Sequence, residues 1–249
     1  MADLDSRTLD GFRIRPLRTM EQIAAASAVL SEVWGGDRTG MPPNLLRALA
    51  HVGNYAVGLY AVPTEGDPSA ERMIGASVGF FAAPDDRSLH SHITGIVGDH
   101  RGRGLGRLLK QHQREWALAR GVHRITWTFD PLVARNASFN LRVLGARVGE
   151  YYVDHYGAMD DGVNRGDESD RIFAVWDLDA PAAPPPERDI VTTVEVPADI
   201  ERLRRDAPGE ALDWRYRVRE AFLGLTEDGF AVAGSDERGY LFVRSGVAS

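Results

Sequence analysis

The sequence predicts a mixed α/β fold, in which a central sheet is flanked by helices and followed by a small C-terminal α/β extension. Segments that alternate apolar and polar residues, as strands do, are interleaved with segments whose apolar residues recur every three or four positions, as in helices. A chain of 249 residues with 43% hydrophobic content can bury an ordinary core. A glycine-rich run at 101–106 lies where a predicted strand passes into a predicted helix.

Strands and helices are predicted in regular order along the first 145 residues. The predicted strands cover 12–17, 55–62, 73–82, 89–97 and 124–129, with 55–62 and 73–82 as an antiparallel pair. The predicted helices cover 21–34, 44–51, a segment from Leu105 that Gly121 can end, and 136–144, which ends at Gly145. The helix from Leu105 is amphipathic, because its apolar residues and His112 recur at helical spacing up to Ala119.

Prolines divide the C-terminal part from the rest. We expect a tail at 1–11, a main domain at 12–179, a Pro/Ala linker at 180–188 and a small subdomain at 189–249, because consecutive prolines stop both helix and sheet. The subdomain should hold a strand at 190–196, a helix at 198–205, a helix with Trp214, Val218, Phe222 and Leu225 on one face, and a hairpin of 230–233 with 240–243. About sixty residues make a thin core, so we expect it to dock on the main domain or on a partner subunit.

Six arginines lie in this C-terminal part, at 202, 204, 205, 215, 217 and 219. They fit a solvated helix face, or a site for an anionic acceptor.

The glycine run has the properties of a diphosphate cradle. Gly102, Gly104 and Gly106 let the backbone turn sharply and approach a ligand closely. The helix that starts at Leu105 directs free N–H groups and a partial positive charge at the same loop. Guanidinium groups can add paired hydrogen bonds to phosphate oxygens, and the run supplies them at Arg101, Arg103 and Arg107.

The spacing separates this run from two other phosphate loops. A nucleotide P-loop needs Gly-Lys-Ser/Thr at its end, and a dinucleotide fingerprint needs Gly-x-Gly-x-x-Gly after a first strand. The run here has neither pattern; it reads Arg-x-x-Gly-x-Gly, filled by Arg101, Gly104 and Gly106. This pattern resembles the acyl-CoA pyrophosphate loop of the GNAT superfamily of N-acetyltransferases, and the order of elements over about residues 12 to 178 is similar to that of the family.

The resemblance implies a mostly antiparallel central sheet that splits at the acyl-CoA site. It implies that the cofactor-binding residues are Ile96, Val97 and Gly98 by their backbone, the loop residues Arg101, Gly102, Arg103, Gly104, Leu105, Gly106 and Arg107, and Asn136 and Ser138 on the short helix. Asn136 and Ser138 could equally be residues that only cap that helix.

Two histidines precede the loop. His90 and His92 lie two apart on a predicted strand, so they should share a face, and histidine titrates near neutrality. An amine acceptor must lose a proton before it attacks a thioester, which requires a base nearby. The His-x-His spacing resembles that of arylalkylamine N-acetyltransferases, which implies a base or water relay at His92 with His90. The alternative is a pair of polar strand residues bonded to their neighbours.

The usual general acid of the family is missing. The position where many members have tyrosine is Leu141 here; Tyr151, Tyr152, Tyr156 or water could replace it. The acidic, glycine-rich stretch 154–170 suggests a loop near the acceptor mouth that attracts a cationic amine, or else a solvated loop. Its acids do not have the spacing of an EF-hand calcium site.

Composition excludes several classes of function. There are no cysteines, so disulfides, thiolate metal sites and a cysteine acyl-enzyme are excluded, and we expect no metal. A net charge of −7 argues against general nucleic-acid binding. The acidic N-terminus and the lack of a long apolar run predict a cytoplasmic protein that does not enter membranes.

Together these features predict an acyl-CoA-dependent N-acyltransferase, with acetyl-CoA or another acyl-CoA as co-substrate and a small amine or amino-acid-like molecule as acceptor. Transfer would be direct, with a histidine base or a water relay. The alternatives are a non-catalytic acyl-CoA sensor and a component of a larger assembly. The sequence is also compatible with a homodimer.

Overall fold

A computed structural model describes residues 7–9, 11–35, 41–62, 71–100, 102–157, 167–180, 183 and 189–246. The chain forms two compact units, Met1–Ile125 and Thr126–Ser249. The predicted fold class is confirmed, because the described chain combines a mostly antiparallel central sheet with flanking helices. No helix in these described ranges is long and apolar enough to cross a membrane.

The described residues of the first unit form five strands of the sheet and three helices. In chain order these are β1 (Arg7–Leu9), β2 (Phe12–Pro16), α1 (Met20–Trp34), α2 (Pro43–His51), β3 (Tyr55–Ala61), β4 (Arg72–Phe81), β5 (Leu89–Ile96) and α3 (Leu105–Leu118). The strands β1 to β5 lie side by side in sequence order, and each pairs antiparallel with the next. A short 3₁₀ turn, Gly98–His100, connects β5 to the glycine loop before α3.

Helix α1 begins and ends where its sequence dictates. Thr19 and Gln22 form a reciprocal capping box at its start, and Gly35 ends it in the left-handed conformation with φ 75°. Its apolar stripe packs on β3 and β4; the cluster includes Ile23, Ala26, Leu30, Ala56, Ala76 and Val78.

Helix α3 covers the other face of the same sheet. A Cβ added at Gly79 would lie 3.3 Å from Gln113 of α3, whereas the neighbouring Val78 packs in the α1 cluster. Adjacent residues of a strand point to opposite faces, so α1 and α3 lie on opposite sides of β4. Trp116 of α3 packs on Tyr55 and Phe81, with ring centroids 5.3 and 5.8 Å apart.

The second unit contains the remaining elements. These are β6 (Arg124–Phe129), which begins just before the boundary, α4 (Ala134–Ala137), a π-helical turn (Ser138–Val143), β7 (Arg147–Tyr152), β8 (Arg171–Asp177), β9 (Thr192–Glu195), α5 (Ile200–Asp206), α6 (Pro208–Glu227), β10 (Phe230–Ser235) and β11 (Gly239–Arg244). Strand β8 lies between β6 and β7, and β10, β11 and β9 form a separate antiparallel sheet in that order.

The C-terminal segment packs into this second unit. Phe222 of α6 lies 4.9 Å from the Tyr240 ring, 5.1 Å from Phe242 and 5.1 Å from Tyr151. The Tyr240 hydroxyl donates to the Pro131 carbonyl at 2.8 Å. The extension therefore contacts the segments around β6 and β7.

Four of the six C-terminal arginines form ion pairs within the unit. The exposed Arg202 pairs with Asp206 on the same helix at 3.4 Å, and the other three pair at buried or half-buried positions. Arg204 and Arg215 bind both Asp130 and Asp167, and Arg219 binds Glu168 and Asp170. Arg204, Arg215 and Arg219 therefore belong neither to a solvated helix face nor to a site for an anionic acceptor, because their guanidinium groups already bind carboxylates of the protein. Arg217 does lie on the exposed side of α6, where its guanidinium stacks on Trp214 at 4.0 Å.

Several local expectations are corrected. The predicted tail contains β1, which pairs with β2. The short helix begins at Ala134 rather than 136, and it widens into π geometry from Ser138. Strands β7 and β8 were not predicted individually. Of the predicted linker 180–188, only 180 and 183 lie within the described residues.

Candidate functional site

The glycine loop leaves open space above its backbone. Gly102 and Gly104 have φ of 76° and 77°, a region that side chains other than glycine rarely adopt. A Cβ built at Gly98, Gly102, Gly104 or Gly106 would meet no atom of the described residues within 4 Å. The loop thus offers a ligand direct access to main-chain groups, as a diphosphate requires.

The first turn of α3 faces this loop with main-chain donors. Gly104 occupies the N-cap position and has no side chain to cap the helix. The first intrahelical bond runs from Leu108 N–H to Gly104 O at 3.1 Å, so the N–H groups of Leu105, Gly106 and Arg107 precede the hydrogen-bond ladder. Together with the helix dipole these groups form a site that favours an anion.

The loop arginines are placed differently from one another. Arg103 lies over the Phe12 ring at 4.8 Å, and its Nη1 is 3.4 Å from His100 Nδ1. Its guanidinium is therefore held against β2 at the side of the loop. Arg107 is exposed on the first turn of α3. Arg101 lies outside the described residues.

At the end of β5, the backbone of Val97 is already bonded within the protein. Its N–H donates to the Ile74 carbonyl at 2.9 Å, and its carbonyl accepts from His100 N–H at 3.1 Å. A role for Val97 in binding pantetheine by its amide is therefore disfavoured. Ile96 still pairs with Gly75 as the last residue of β5, and Gly98 is exposed immediately after it.

The two histidines lie together around one phenylalanine. The rings of His90 and His92 are 5.2 and 5.5 Å from the Phe80 ring and 6.3 Å from each other. A β-bulge lies at this point: Val78 pairs with Ile93 and Gly79 with Ser91, so His92 is the extra residue. The sequence indicated the pair but neither the bulge nor the place of Phe80.

The His92 environment favours an unprotonated imidazole. The His92 side chain is exposed, but the protein around it desolvates the ring enough to lower its pKa from the ordinary value of 6.5. At neutral pH the ring is therefore mostly unprotonated and can accept a proton, as a general base must.

The three tyrosines proposed as substitute acids differ in their exposure and in the partners of their side chains. Tyr151 donates its hydroxyl to Asp170 at 2.6 Å; burial, followed by that bond, raises the pKa of Tyr151 far above its usual range. Tyr152 is stacked on His155 at 4.7 Å. Tyr156 is 49% exposed, and its hydroxyl lies 2.7 Å from Thr128 Oγ1 on β6. Leu141 is buried, so it offers no group for proton transfer.

The other predicted contacts lie in the second unit. Asn136 lies inside α4, whose N-cap is Val133, and Ser138 follows its last residue; the interpretation of both as N-terminal caps is wrong. In the acidic stretch 154–170, residues 158–166 lie outside the described part. Three described acids, Asp167, Glu168 and Asp170, are ion-paired with arginine, so their charge is not available to steer an amine.

No metal site is visible among the residues that the structure describes: none of their His, Asp and Glu side chains form a group of three or more placed to hold an ion.

A comparison with models of known protein families matches the part of the chain that contains the glycine loop. Residues 51–145 match the model of the "Acetyltransferase (GNAT) family". A comparison with curated protein sequences gives no match.

Solved acetyltransferases have a similar fold. The ribosomal-protein-S5-alanine acetyltransferase of Vibrio fischeri superposes with a TM-score of 0.54 at 15% identity, over 72% of this chain and 99% of that one. The ribosomal-protein-S18-alanine N-acetyltransferase of Escherichia coli gives 0.51 at 14%, over 67% and 94%. The structure of yncA from Salmonella typhimurium with its cofactor acetyl-CoA gives 0.52 at 18%, over 70% and 99%. The chain therefore has the fold of these acetyltransferases, and the part that matches the GNAT family model contains both the glycine loop and the two histidines.

Proposed function

We propose that the protein is an acyl-CoA-dependent N-acyltransferase that uses acetyl-CoA or a related thioester. The observation that carries the proposal is the open glycine loop at the start of α3, which follows the strand that bears His90 and His92. Main-chain donors at the loop suit the diphosphate of coenzyme A, and the paired imidazoles suit removal of a proton from an amine.

The reaction then requires proton transfers, attack on the thioester and release of the thiol. His92, directly or through water, takes a proton from the acceptor ammonium, and the freed amine nitrogen attacks the thioester carbonyl carbon. The carbon–sulfur bond breaks and the attacking nitrogen releases its second proton to solvent, which yields an amide and the thiolate of coenzyme A. The thiolate takes up a proton from water or from a hydroxyl group. Of the three tyrosines considered, Tyr156 has a half-exposed side chain, and its hydroxyl bonds to Thr128 rather than to a carboxylate.

The acceptor is proposed at the level of chemical class, as a small primary amine or an amino-acid-like molecule. Two of the similar structures carry names that specify the alanine of a ribosomal protein, so peptides with N-terminal alanine belong in the same screen. The test measures thiol release from several acyl-CoAs in the presence of amines, amino acids and such peptides. A folded protein that releases no thiol above the acceptor-free rate with any of them would refute the proposal.

A non-catalytic acyl-CoA sensor is the second candidate. It is favoured by Leu141, a buried apolar residue at the position where many family members have the acid. Titration calorimetry with acetyl-CoA, run beside the thiol assay, separates the two. Binding without acceptor-dependent release identifies a sensor, and release identifies an enzyme.

A further inference from the structure

A layer of buried polar side chains lies between α3 and the sheet of the first unit. Lys110, His112 and Gln113 of α3 are all buried, at positions where a helix that packs on a sheet is usually apolar. The Tyr55 hydroxyl lies 3.0 Å from His112 Nδ1. The amine of Lys110 donates to Ser91 Oγ at 2.9 Å and to Gln113 Oε1 at 3.3 Å. The proposed reaction uses none of these groups directly.

Keeping an amine in this layer is costly. Burial lowers the pKa of Lys110 from 10.5 to about 7, which measures how much the surroundings disfavour the ammonium form. A methionine could fill the same space without that penalty. The hydrogen bonds of the amine are therefore its distinctive contribution at this position.

Ser91 links the layer to the histidine strand. It is buried on the α3 side of β5 and lies between His90 and His92 in the chain. It is also the residue directly before the bulge, since it pairs with Gly79 while His92 has no partner across the strand pair. A bulge re-aims the side chain that it carries, so the position of Ser91 sets the direction of His92.

Gly79 leaves room for this arrangement. A Cβ at Gly79 would lie 2.9 Å from the His90 carbonyl oxygen and 3.3 Å from Gln113 Nε2. The close approach of the helix layer to β5 therefore depends on a glycine in the neighbouring strand. The bulge, Ser91 and Lys110 form a continuous connection from the strand to the helix.

We propose that Lys110 is a positioning residue that anchors β5 through Ser91 and thereby fixes the bulge that presents His92. The inference rests on the proposed function, because it assigns His92 the role of base. Lys110 lies on the same helix as the loop, six residues after Gly104. The element that would bind the diphosphate thus also holds the strand that would bear the base.

The decisive variants are Ser91→Thr and Ser91→Val. Threonine and valine have nearly the same shape, but only threonine offers a hydroxyl oxygen to the Lys110 amine. A difference in activity between the two variants therefore reports on the hydrogen bond from Lys110 to residue 91. Lys110→Met removes the other partner. Tyr55→Phe is the matched control, because it removes a hydroxyl from the same buried layer but on β3 rather than β5.

In the transfer assay, Ser91→Val and Lys110→Met should lower kcat by about 10- to 100-fold, the effect expected when a catalytic group is displaced by roughly 1 Å. Their KM for acetyl-CoA should stay within about two-fold of the wild-type value, since the loop is untouched. The acid limb of the kcat profile should shift in both. Ser91→Thr and Tyr55→Phe should keep the wild-type profile, whatever stability they lose.

A second readout does not need activity. NMR titration of ¹³C-labelled histidine, with His90→Gln and His92→Gln as assignment variants, measures the pKa of each ring in the folded protein. The His92 titration should move in Ser91→Val and Lys110→Met but not in Ser91→Thr or Tyr55→Phe.

The two readouts distinguish failure of the positioning role from failure of the enzyme assignment. If the wild-type protein transfers nothing, the proposed function fails, and the NMR titration still decides whether Lys110 positions His92. If the protein is active and Ser91→Val matches Ser91→Thr in pH profile and in His92 titration, the positioning role is overturned. If Lys110→Met does not fold, the Ser91 pair decides alone.

Discussion

Replacing Arg215 by methionine should destabilise the second unit far more than the same replacement at Arg217, two residues along α6. Arg215 is fully buried and forms four hydrogen bonds of 2.8 to 3.2 Å to Asp130 and Asp167. Its loss leaves two buried carboxylates that both bond to the guanidinium of Arg204. Removing one partner from a buried ion pair costs about 3–5 kcal/mol, because the remaining charge stays buried without compensation.

The measurement is urea unfolding followed by tryptophan fluorescence, with urea chosen because guanidinium salt would screen the ion pairs. For a chain of this size, a loss of 3–5 kcal/mol corresponds to a fall in Tm of roughly 6–20 °C. Hydrogen exchange in peptides from α6 then shows whether the loss lies in the second unit. Arg217→Met is the control: that side chain is exposed, and its replacement should change the free energy of unfolding by less than about 1 kcal/mol.

A double variant shows whether charge imbalance is the cause. Adding Asp167→Asn to Arg215→Met leaves Asp130 paired with Arg204, so part of the lost stability should return. The two changes should therefore be non-additive. If Arg215→Met costs no more than Arg217→Met, or if Asp167→Asn deepens the loss by its full separate amount, the electrostatic explanation is wrong.

The same network predicts how stability depends on pH. Burial alone would raise the pKa of Asp130, but Arg215 and Arg204 outweigh it and hold that pKa well below the ordinary 3.8. A depressed carboxyl pKa contributes stability above the unfolded-state pKa, and this is lost as the pH falls below about 4 towards the folded-state value. In Arg215→Met, the free energy of unfolding should fall less steeply as the pH drops below about 4. An acid-unfolding series at constant ionic strength would detect this.

Three further predictions concern the proposed reaction. Gly104→Val should raise the KM for acetyl-CoA about ten-fold or more, because a β-branched residue at φ 77° strains the loop and fills its open space. Arg107→Ala leaves the loop shape intact and should raise the KM less. Equal KM values for the two variants would contradict this prediction. His92→Gln should lower kcat about 100-fold and remove an acid limb that lies below pH 6.5 in the wild type, and an unchanged pH profile would exclude His92 as base. Tyr156→Phe should lower kcat by roughly ten-fold at unchanged Tm, whereas Tyr151→Phe should lower Tm; the reverse pattern would exclude Tyr156 as acid.

The sequence predicted the first unit well because its signals are local. Helix α1 has a capping box and a left-handed glycine at its two ends, and the loop before α3 contains glycines where positive φ is needed. Such features depend on a few neighbouring residues, so they can be recognised without knowledge of the packing. The bulge at His92 could not be predicted, because it depends on how β4 and β5 pair.

The second unit was predicted less well because its organisation depends on distant contacts. Strand β7 shifts register against β8 between Val148 and Glu150, so its side chains do not alternate regularly. The π geometry after Ser138 does not follow the 3.6-residue period. The sequence does contain one signal of this packing: Ala211, Arg215, Val218 and Phe222 occur at helical spacing, and all four are buried. An arginine within an apolar stripe indicates a buried ion pair rather than a solvated face.

The candidate site depends more on backbone shape than on the charged side chains of the loop. Arg103 is held over Phe12 and beside His100, so part of its role is to fix the loop to β2. The main-chain N–H groups before Leu108 and the open space over Gly102 and Gly104 are features of the backbone rather than of an arginine side chain. A motif of this kind is specified first by where glycine is required, and arginine adds affinity to a site that the backbone has already formed. For the same reason, loss of a loop glycine should impair coenzyme A binding more than loss of a loop arginine.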